Sequence, residues 1–130
     1  MRPIKWLVLT LLLLGGTSGA LQAADKAQEA KEKSSRQYMQ YGLVLADENR
    51  EEAAVKAFKK AIEMDPNNAE AYSLMGTVLA RLGKGREAEE ALRKAVSLKP
   101  DYREGWYYLG LILQSQGKEA EAQQAFQKAR

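Results

Sequence analysis

Four carboxylates are crowded into one short segment of the sequence. Asp47, Glu48, Glu51 and Glu52 carry the oxygen ligands that a hard cation such as Ca²⁺ prefers. The segment lacks the central glycine and the alternating ligands of a calcium-binding loop. Acidic residues are also favoured at the start of a helix, where the backbone dipole is positive. We therefore predict solvated charge here, and neither a metal site nor a cofactor.

A second charged cluster has the spacing of helix-stabilising ion pairs. Glu87, Glu89 and Glu90 precede Arg93 and Lys94 by the three or four residues that bring side chains together on a helix. The sequence contains no histidine and no cysteine. It therefore lacks imidazole and thiolate ligands, the thiol nucleophile and the usual general base of a Ser–His pair. We predict that the protein is not an enzyme.

The overall charge is less basic than the isoelectric point of about 9.1 indicates. Two of the 20 basic residues, Arg2 and Lys5, stand in the first five positions. From Asp25 onwards, 18 basic residues are balanced by 17 acidic ones. Nucleic-acid binding depends on clustered positive charge that displaces counterions. No nucleic-acid partner is predicted.

The first 24 residues have the order of a secretory signal peptide. A short basic start is followed by uncharged, mostly apolar residues and then by small residues, which predict cleavage after Ala20, Ala23 or Ala24. The alternative is an uncleaved anchor, because residues 6–24 form an uncharged run of 19 that is long enough to span a bilayer. Glycines interrupt this run, so we favour cleavage and expect a periplasmic or secreted protein.

Beyond a charged connector at residues 25–34, the sequence repeats itself with a period of 34 residues. Six sets of residues recur at this spacing: Tyr38, Tyr72 and Trp106; Gly42, Gly76 and Gly110; Ala54, Ala88 and Ala122; Phe58, Leu92 and Phe126; Ala61, Ala95 and Ala129; Pro66 and Pro100. Such a recurrence indicates one structural unit used three times.

Each unit has the pattern of two helices. In the middle unit, Tyr72, Met75, Gly76 and Leu79 fall at the spacing of one helix face, and a second amphipathic segment includes Ala88. We expect the glycine to let the two helices approach closely, with the small Ala88 facing it across the gap.

Turn and cap residues separate these helices. Residues that tolerate left-handed backbone recur between the two helices of a unit, at Asn49, Gly83 and Gly117. A proline follows the second helix, which it cannot continue. Capping boxes for the next helix are predicted from Asn67 with Glu70 and from Asp101 with Glu104.

This unit resembles the tetratricopeptide repeat (TPR), in three copies at residues 35–68, 69–102 and 103–130. The resemblance implies an all-α fold, a right-handed solenoid of three antiparallel helix hairpins. It also implies a non-enzymatic protein–protein interaction scaffold. Together with the signal peptide, it is typical of small bacterial envelope proteins that help to assemble larger complexes. The alternative is an assembly factor tethered to the inner membrane by an uncleaved anchor.

The resemblance also assigns a binding surface. In TPR proteins, one stripe of the first helices lines a concave groove, and here it comprises Met39, Leu43, Ser73, Thr77, Tyr107 and Leu111. Trp106 belongs to the packing series instead, since Tyr107 is turned about 100° around the helix from it. The position of Tyr108 stays open between the groove edge and the contact with the preceding repeat. We expect the groove to hold an apolar or amphipathic peptide or helix of another protein.

Polar residues replace apolar ones in the last unit. Arg130 stands where the earlier units have Ile62 and Val96, and Gln123 stands where the first has Val55. Terminal repeats need such a polar outer face. We expect a monomer or a weak dimer.

Overall fold

The computed structural model describes the backbone of residues 3–130 and the side chains from residue 18 onwards. Within that range all regular structure is α-helical. The helices are α1 Pro3–Asp47, α2 Glu51–Met64, α3 Ala69–Arg81, α4 Gly85–Leu98, α5 Arg103–Ser115 and α6 Glu119–Lys128. The predicted all-α fold of helix hairpins is confirmed.

The chain forms two compact units, Met1–Lys31 and Glu32–Arg130. In the first, the apolar run on which the signal-peptide prediction rests lies outside the residues with described side chains, and residues 18–31 are an exposed part of α1. No helix among the described residues has an apolar stretch long enough to cross a membrane. The second unit contains the three hairpins.

The turn within each hairpin has left-handed backbone at the predicted residue. The φ angles are 57° at Asn49, 76° at Gly83 and 78° at Gly117. In each turn the next amide donates to a carbonyl five residues back at 2.9 Å, as from Lys84 to Leu79. This is the Schellman arrangement, which satisfies carbonyls that the helix end leaves free.

The helices of a hairpin meet where the glycines recur. A Cβ atom at Gly76 would lie 2.8 Å from Leu92 Cγ and 3.1 Å from the Ala88 carbonyl oxygen. Ala88 is fully buried. At Gly42 and Gly110 a Cβ atom would meet the rings of Phe58 and Phe126. The predicted close approach is present, and the larger side chain four residues after the alanine makes the nearest contact.

The helix caps differ from prediction by one residue. Helix α3 begins at Ala69, so its N-cap is Asn68, whose side chain accepts a hydrogen bond from the Ala71 amide. The predicted cap residue Asn67 instead donates its backbone amide to the Asp65 carboxylate. Helix α5 has no side-chain cap bond at its N-cap, Tyr102. The prediction was wrong because Asn67 and Asn68 can both cap a helix, and α3 begins directly after Asn68.

Ion pairs connect the second and third hairpins on the side of α4 and α6. Glu89 accepts hydrogen bonds from Arg93 at 2.9 Å and Lys118 at 3.1 Å, and Arg93 also donates to Glu121 at 2.7 Å. The predicted pair within α4 is thus part of a larger network. Burial opposes ionisation of Glu89, but the bonds from Arg93 and Lys118 outweigh it and hold its pKa below the ordinary value of 4.5.

We expect Gly76→Ala to lower the free energy of unfolding by roughly 1–3 kcal/mol, the usual cost of overpacking. The new methyl would press on a branch carbon of Leu92 and on backbone, neither of which moves freely. Gly85→Ala is the matched control, because its Cβ would have nothing nearer than 3.7 Å. Thermal melts of both variants measure the difference. Unchanged melting of Gly76→Ala and of Ala88→Leu would contradict the repeat register.

A second stability prediction concerns the pH dependence of the ion-pair network. A carboxyl group whose pKa is lower in the folded state stabilises the fold above its unfolded pKa, and that contribution is lost as the pH falls through the folded value. Glu89→Gln should therefore melt below the parent at pH 7, and the gap should close as the pH drops below about 4.5. Glu63→Gln, which removes an exposed pair within α2, serves as the control. A gap that persists at low pH would argue against this electrostatic origin.

Candidate functional site

Two of the six predicted groove residues are buried. Met39 is 5% exposed and Ser73 is 1% exposed. The last residue of the same repeat covers each of them: Asn68 Nδ2 lies 3.9 Å from Met39 Sδ, and the Tyr102 side chain lies against Ser73. The prediction that these side chains meet a partner is corrected, since each is buried beneath the N-cap residue of the following helix, α3 or α5.

Tyr107 occupies the same position in the third repeat, and 49% of it is exposed. Its ring packs at 5.7 Å from that of Tyr108 and at 6.0 Å from that of Phe126. It lines a recess of about 350 Å³ with Arg103, Glu104, Tyr108 and Ala129. Tyr107 is therefore available to a partner, but on the α5–α6 side.

The second predicted stripe comes closer to an open groove. Thr77 and Leu111 contribute to an apolar groove of about 310 Å³ formed by Thr77, Ala80, Arg81, Leu92, Tyr108, Leu111 and Ile112. The Thr77 hydroxyl donates to the Ser73 carbonyl oxygen at 3.0 Å, so the methyl group is its remaining contact surface. Leu43 packs partly buried against the core of the first hairpin. Thr77 and Leu111 are brought together, and Leu43 does not line this groove.

Tyr108 is the groove residue that the sequence left undecided. Its side chain is 37% exposed and that of Leu111 is 39% exposed, so the groove presents an aromatic ring beside an aliphatic chain. Tyr108 stands three residues before Leu111 and therefore shares its helix face. That spacing was the signal that could have assigned it. Arg81 supplies a cation in the last turn of α3.

A polar recess of about 400 Å³ lies beside the first two repeats. Its lining includes Arg36 and Lys99 as well as Asp65, Glu70 and Tyr102. Burial raises the pKa of the Tyr102 phenol, and the interaction with the Ser73 side chain opposes that rise. The Lys99 ammonium lies 5.5 Å from the centre of the same ring. The mixed charges suit polar contacts, whereas apolar side chains fit the apolar groove.

Comparison with known proteins agrees with this geometry. Two family profiles match, one described as TPR repeat over residues 42–83 and one as Tetratricopeptide repeat over residues 73–130. The solved structure of MamA is 30% identical, covers 94% of this chain and 75% of its own, and has a TM-score of 0.70. The chain belongs to the tetratricopeptide repeat family.

Other TPR structures share the fold at lower identity. The second TPR domain of Spaghetti (RPAP3), bound to the HSP90 peptide SRMEEVD, is 24% identical with a TM-score of 0.76 and covers 80% of this chain and 95% of its own. The TPR domain of Arabidopsis OM64 is 20% identical with a TM-score of 0.73, covering 76% and 82%. None of the curated proteins compared with the chain matches it. The all-α TPR solenoid fold is thereby established.

The neighbouring aromatics Trp106 and Tyr107 should respond differently to truncation. Trp106 packs partly buried on the core, its Nε1 donates to the Pro100 carbonyl oxygen at 2.8 Å, and the Lys128 ammonium lies 4.3 Å from its ring. Trp106→Ala should destabilise the fold by about 2–3 kcal/mol, less than the full cost for a completely buried aromatic.

The matched variant Tyr107→Ala should cost under about 1 kcal/mol, because half of that side chain is already exposed. Circular dichroism melts of both variants make the comparison. Equal losses would mean that Tyr107 is a core residue of the third hairpin.

Proposed function

We propose that this protein is a non-enzymatic scaffold that binds an apolar or amphipathic segment of another protein in the apolar groove. The observation that carries the proposal is the exposed pair Tyr108 and Leu111 above a floor that includes Leu92 and Ile112. Apolar and aromatic anchors in such grooves usually carry most of the binding energy. Binding of this kind would hold a partner while a larger complex assembles.

The fold neighbours support peptide capture as the mode of action. Both TPR domains of Spaghetti (RPAP3) are described as bound to the HSP90 peptide SRMEEVD, in which three of the seven residues are acidic. The apolar groove offers one cation, Arg81, among the described residues that line it. We therefore infer a different ligand chemistry, an apolar side chain flanked by at most one carboxylate.

We place this activity in the bacterial cell envelope, with the protein released into the periplasm or secreted after cleavage. The support is the order of basic, apolar and small residues in the first 24 positions. In the alternative, the N-terminal segment stays in the inner membrane and residues 25–34 act as a spacer. Mass spectrometry of the mature N-terminus distinguishes the two: a start at residue 21, 24 or 25 supports export, and an intact residue 6–24 segment supports tethering.

The groove proposal predicts which side chains matter for binding. With a partner identified by capture from envelope extract, Leu111→Ala and Tyr108→Ala should each weaken its binding by roughly 1–3 kcal/mol, as for interface anchors. The matched control is Tyr38→Ala, a tyrosine of similar exposure outside the groove, which should bind as the parent does. Titrations by calorimetry with folded variants measure the loss.

A labelled SRMEEVD peptide provides a second control in the same assay. We expect weak binding at most, since the groove has little positive charge to match it. If both groove variants remain folded and bind the partner as tightly as the Tyr38→Ala control, the proposed site is wrong.

A further inference from the structure

The first repeat exposes a face that the other repeats bury. On α1, Tyr41 is 56% exposed and Val44 is 53% exposed. One period later, Met75 is partly buried and Val78 is only 3% exposed. Two periods later the positions hold Leu109 and Ile112, at 1% and 9% exposure. We call the surface of Gln37, Tyr41 and Val44 the N-terminal face.

These positions are buried in the later repeats because the preceding repeat packs on them. Helix α3 contacts α2, and α5 contacts α4. At one such contact, a Cβ atom on Gly105 would lie 3.1 Å from Val96 Cγ1. Gln37 is the first-repeat equivalent of Gly105, and it is exposed. The N-terminal face is thus one half of a repeat interface.

The third repeat exposes the other half. Tyr107 is half exposed at the position where Met39 and Ser73 are covered by Asn68 and Tyr102. Gln123 and Arg130 are exposed beside it on α6 and the residues after it. We call the surface of Tyr107, Gln123 and Arg130 the C-terminal face.

We propose that two copies of this chain associate head to tail, the N-terminal face of one packing on the C-terminal face of the other. The arrangement continues the internal repeat interface, so the 34-residue register fixes which side chains meet. Gln37 would lie opposite Arg130, as Gly105 lies opposite Val96. Arg50 would lie opposite Gln123, as Lys118 lies opposite Glu89. Ser34 would lie opposite Tyr107, as Tyr102 lies opposite Ser73.

The same register makes this association weak. Gln123 gives Arg50 no carboxylate in place of the Glu89–Lys118 ion pair. Inside the chain, the Gln116 amide donates to the Gly85 carbonyl oxygen at 3.4 Å. Between copies, Glu48 stands in the position of Gln116, and its carboxylate cannot donate this hydrogen bond. A head-to-tail dimer also leaves one face of each copy unpaired. The assembly closes into a ring only if the rotation between successive copies brings the last copy back to the first. Concentration-dependent dimers and short linear oligomers follow.

Charge substitutions across the interface test the register directly. Gln123→Glu should tighten self-association by about two- to five-fold, as expected for one partly exposed ion pair, with loss of the gain in high salt. Adding Arg50→Glu should abolish the gain, and the swapped pair Arg50→Glu with Gln123→Arg should recover it. Sedimentation equilibrium of the purified full chain measures each dissociation constant. A Gln123→Glu variant that associates no more tightly than the parent would overturn the proposed register.

Cross-linking gives an independent test, because the chain has no cysteine of its own. Gln37→Cys and Arg130→Cys should form disulfide-linked dimers when mixed, and far fewer when either variant is oxidised alone. Dimers from one variant alone at equal yield would indicate a two-fold symmetric contact and overturn the proposal. A chain that stays monomeric at all concentrations would do the same.

The test is separate from that of the groove. Arg81→Ala lies on the groove in the middle repeat and should leave self-association unchanged. Because no other protein is present in these measurements, failure of head-to-tail association would leave the proposed partner binding standing, and the reverse also holds.

Discussion

The contact between a glycine and the opposite helix is the constraint on which the rest of the structure depends. No side chain fits at Gly76, where even a methyl group would come within 2.8 Å of Leu92. The two helices run antiparallel because only a short turn joins them, and the left-handed Gly83 lies in that turn. Because the first and third hairpins repeat this contact with a phenylalanine ring, all three have the same geometry. Successive hairpins can then stack by one repeated interface.

What the sequence predicts well is what depends on local backbone chemistry. The left-handed turns at Asn49, Gly83 and Gly117 and the close approach at Gly76 each require a particular residue type, so the type reveals the geometry. The cap of α3 was wrong by one residue for the same local reason, since Asn67 and Asn68 both suit the position. The helix pairs and their 34-residue period could therefore be predicted from the sequence alone.

The candidate site depends on contacts between residues far apart in the sequence, and these were harder to predict. Whether Met39 or Ser73 reaches solvent is decided by Asn68 and Tyr102, which lie 29 residues further along the chain in each case. A stripe with the right helical spacing can thus be covered in two repeats and open in the third. The position of Tyr108 was left open, although the three-residue spacing that places it on the same helix face as Leu111 is present in the sequence.

The same repeat interface is expected to hold together more strongly inside one chain than between two copies. Inside, a short turn tethers the hairpins, so an interface meets its other half at an effective concentration on the order of millimolar and need not be strong. Between copies there is no tether, and the same contacts give only weak association. Gln123 and Arg130 reduce it further by removing the carboxylate and the aliphatic side chain that the internal interface uses at Glu89 and Val96. A scaffold built this way can bind through its groove as a single copy at low concentration, and it gains additional grooves in line only where the protein accumulates.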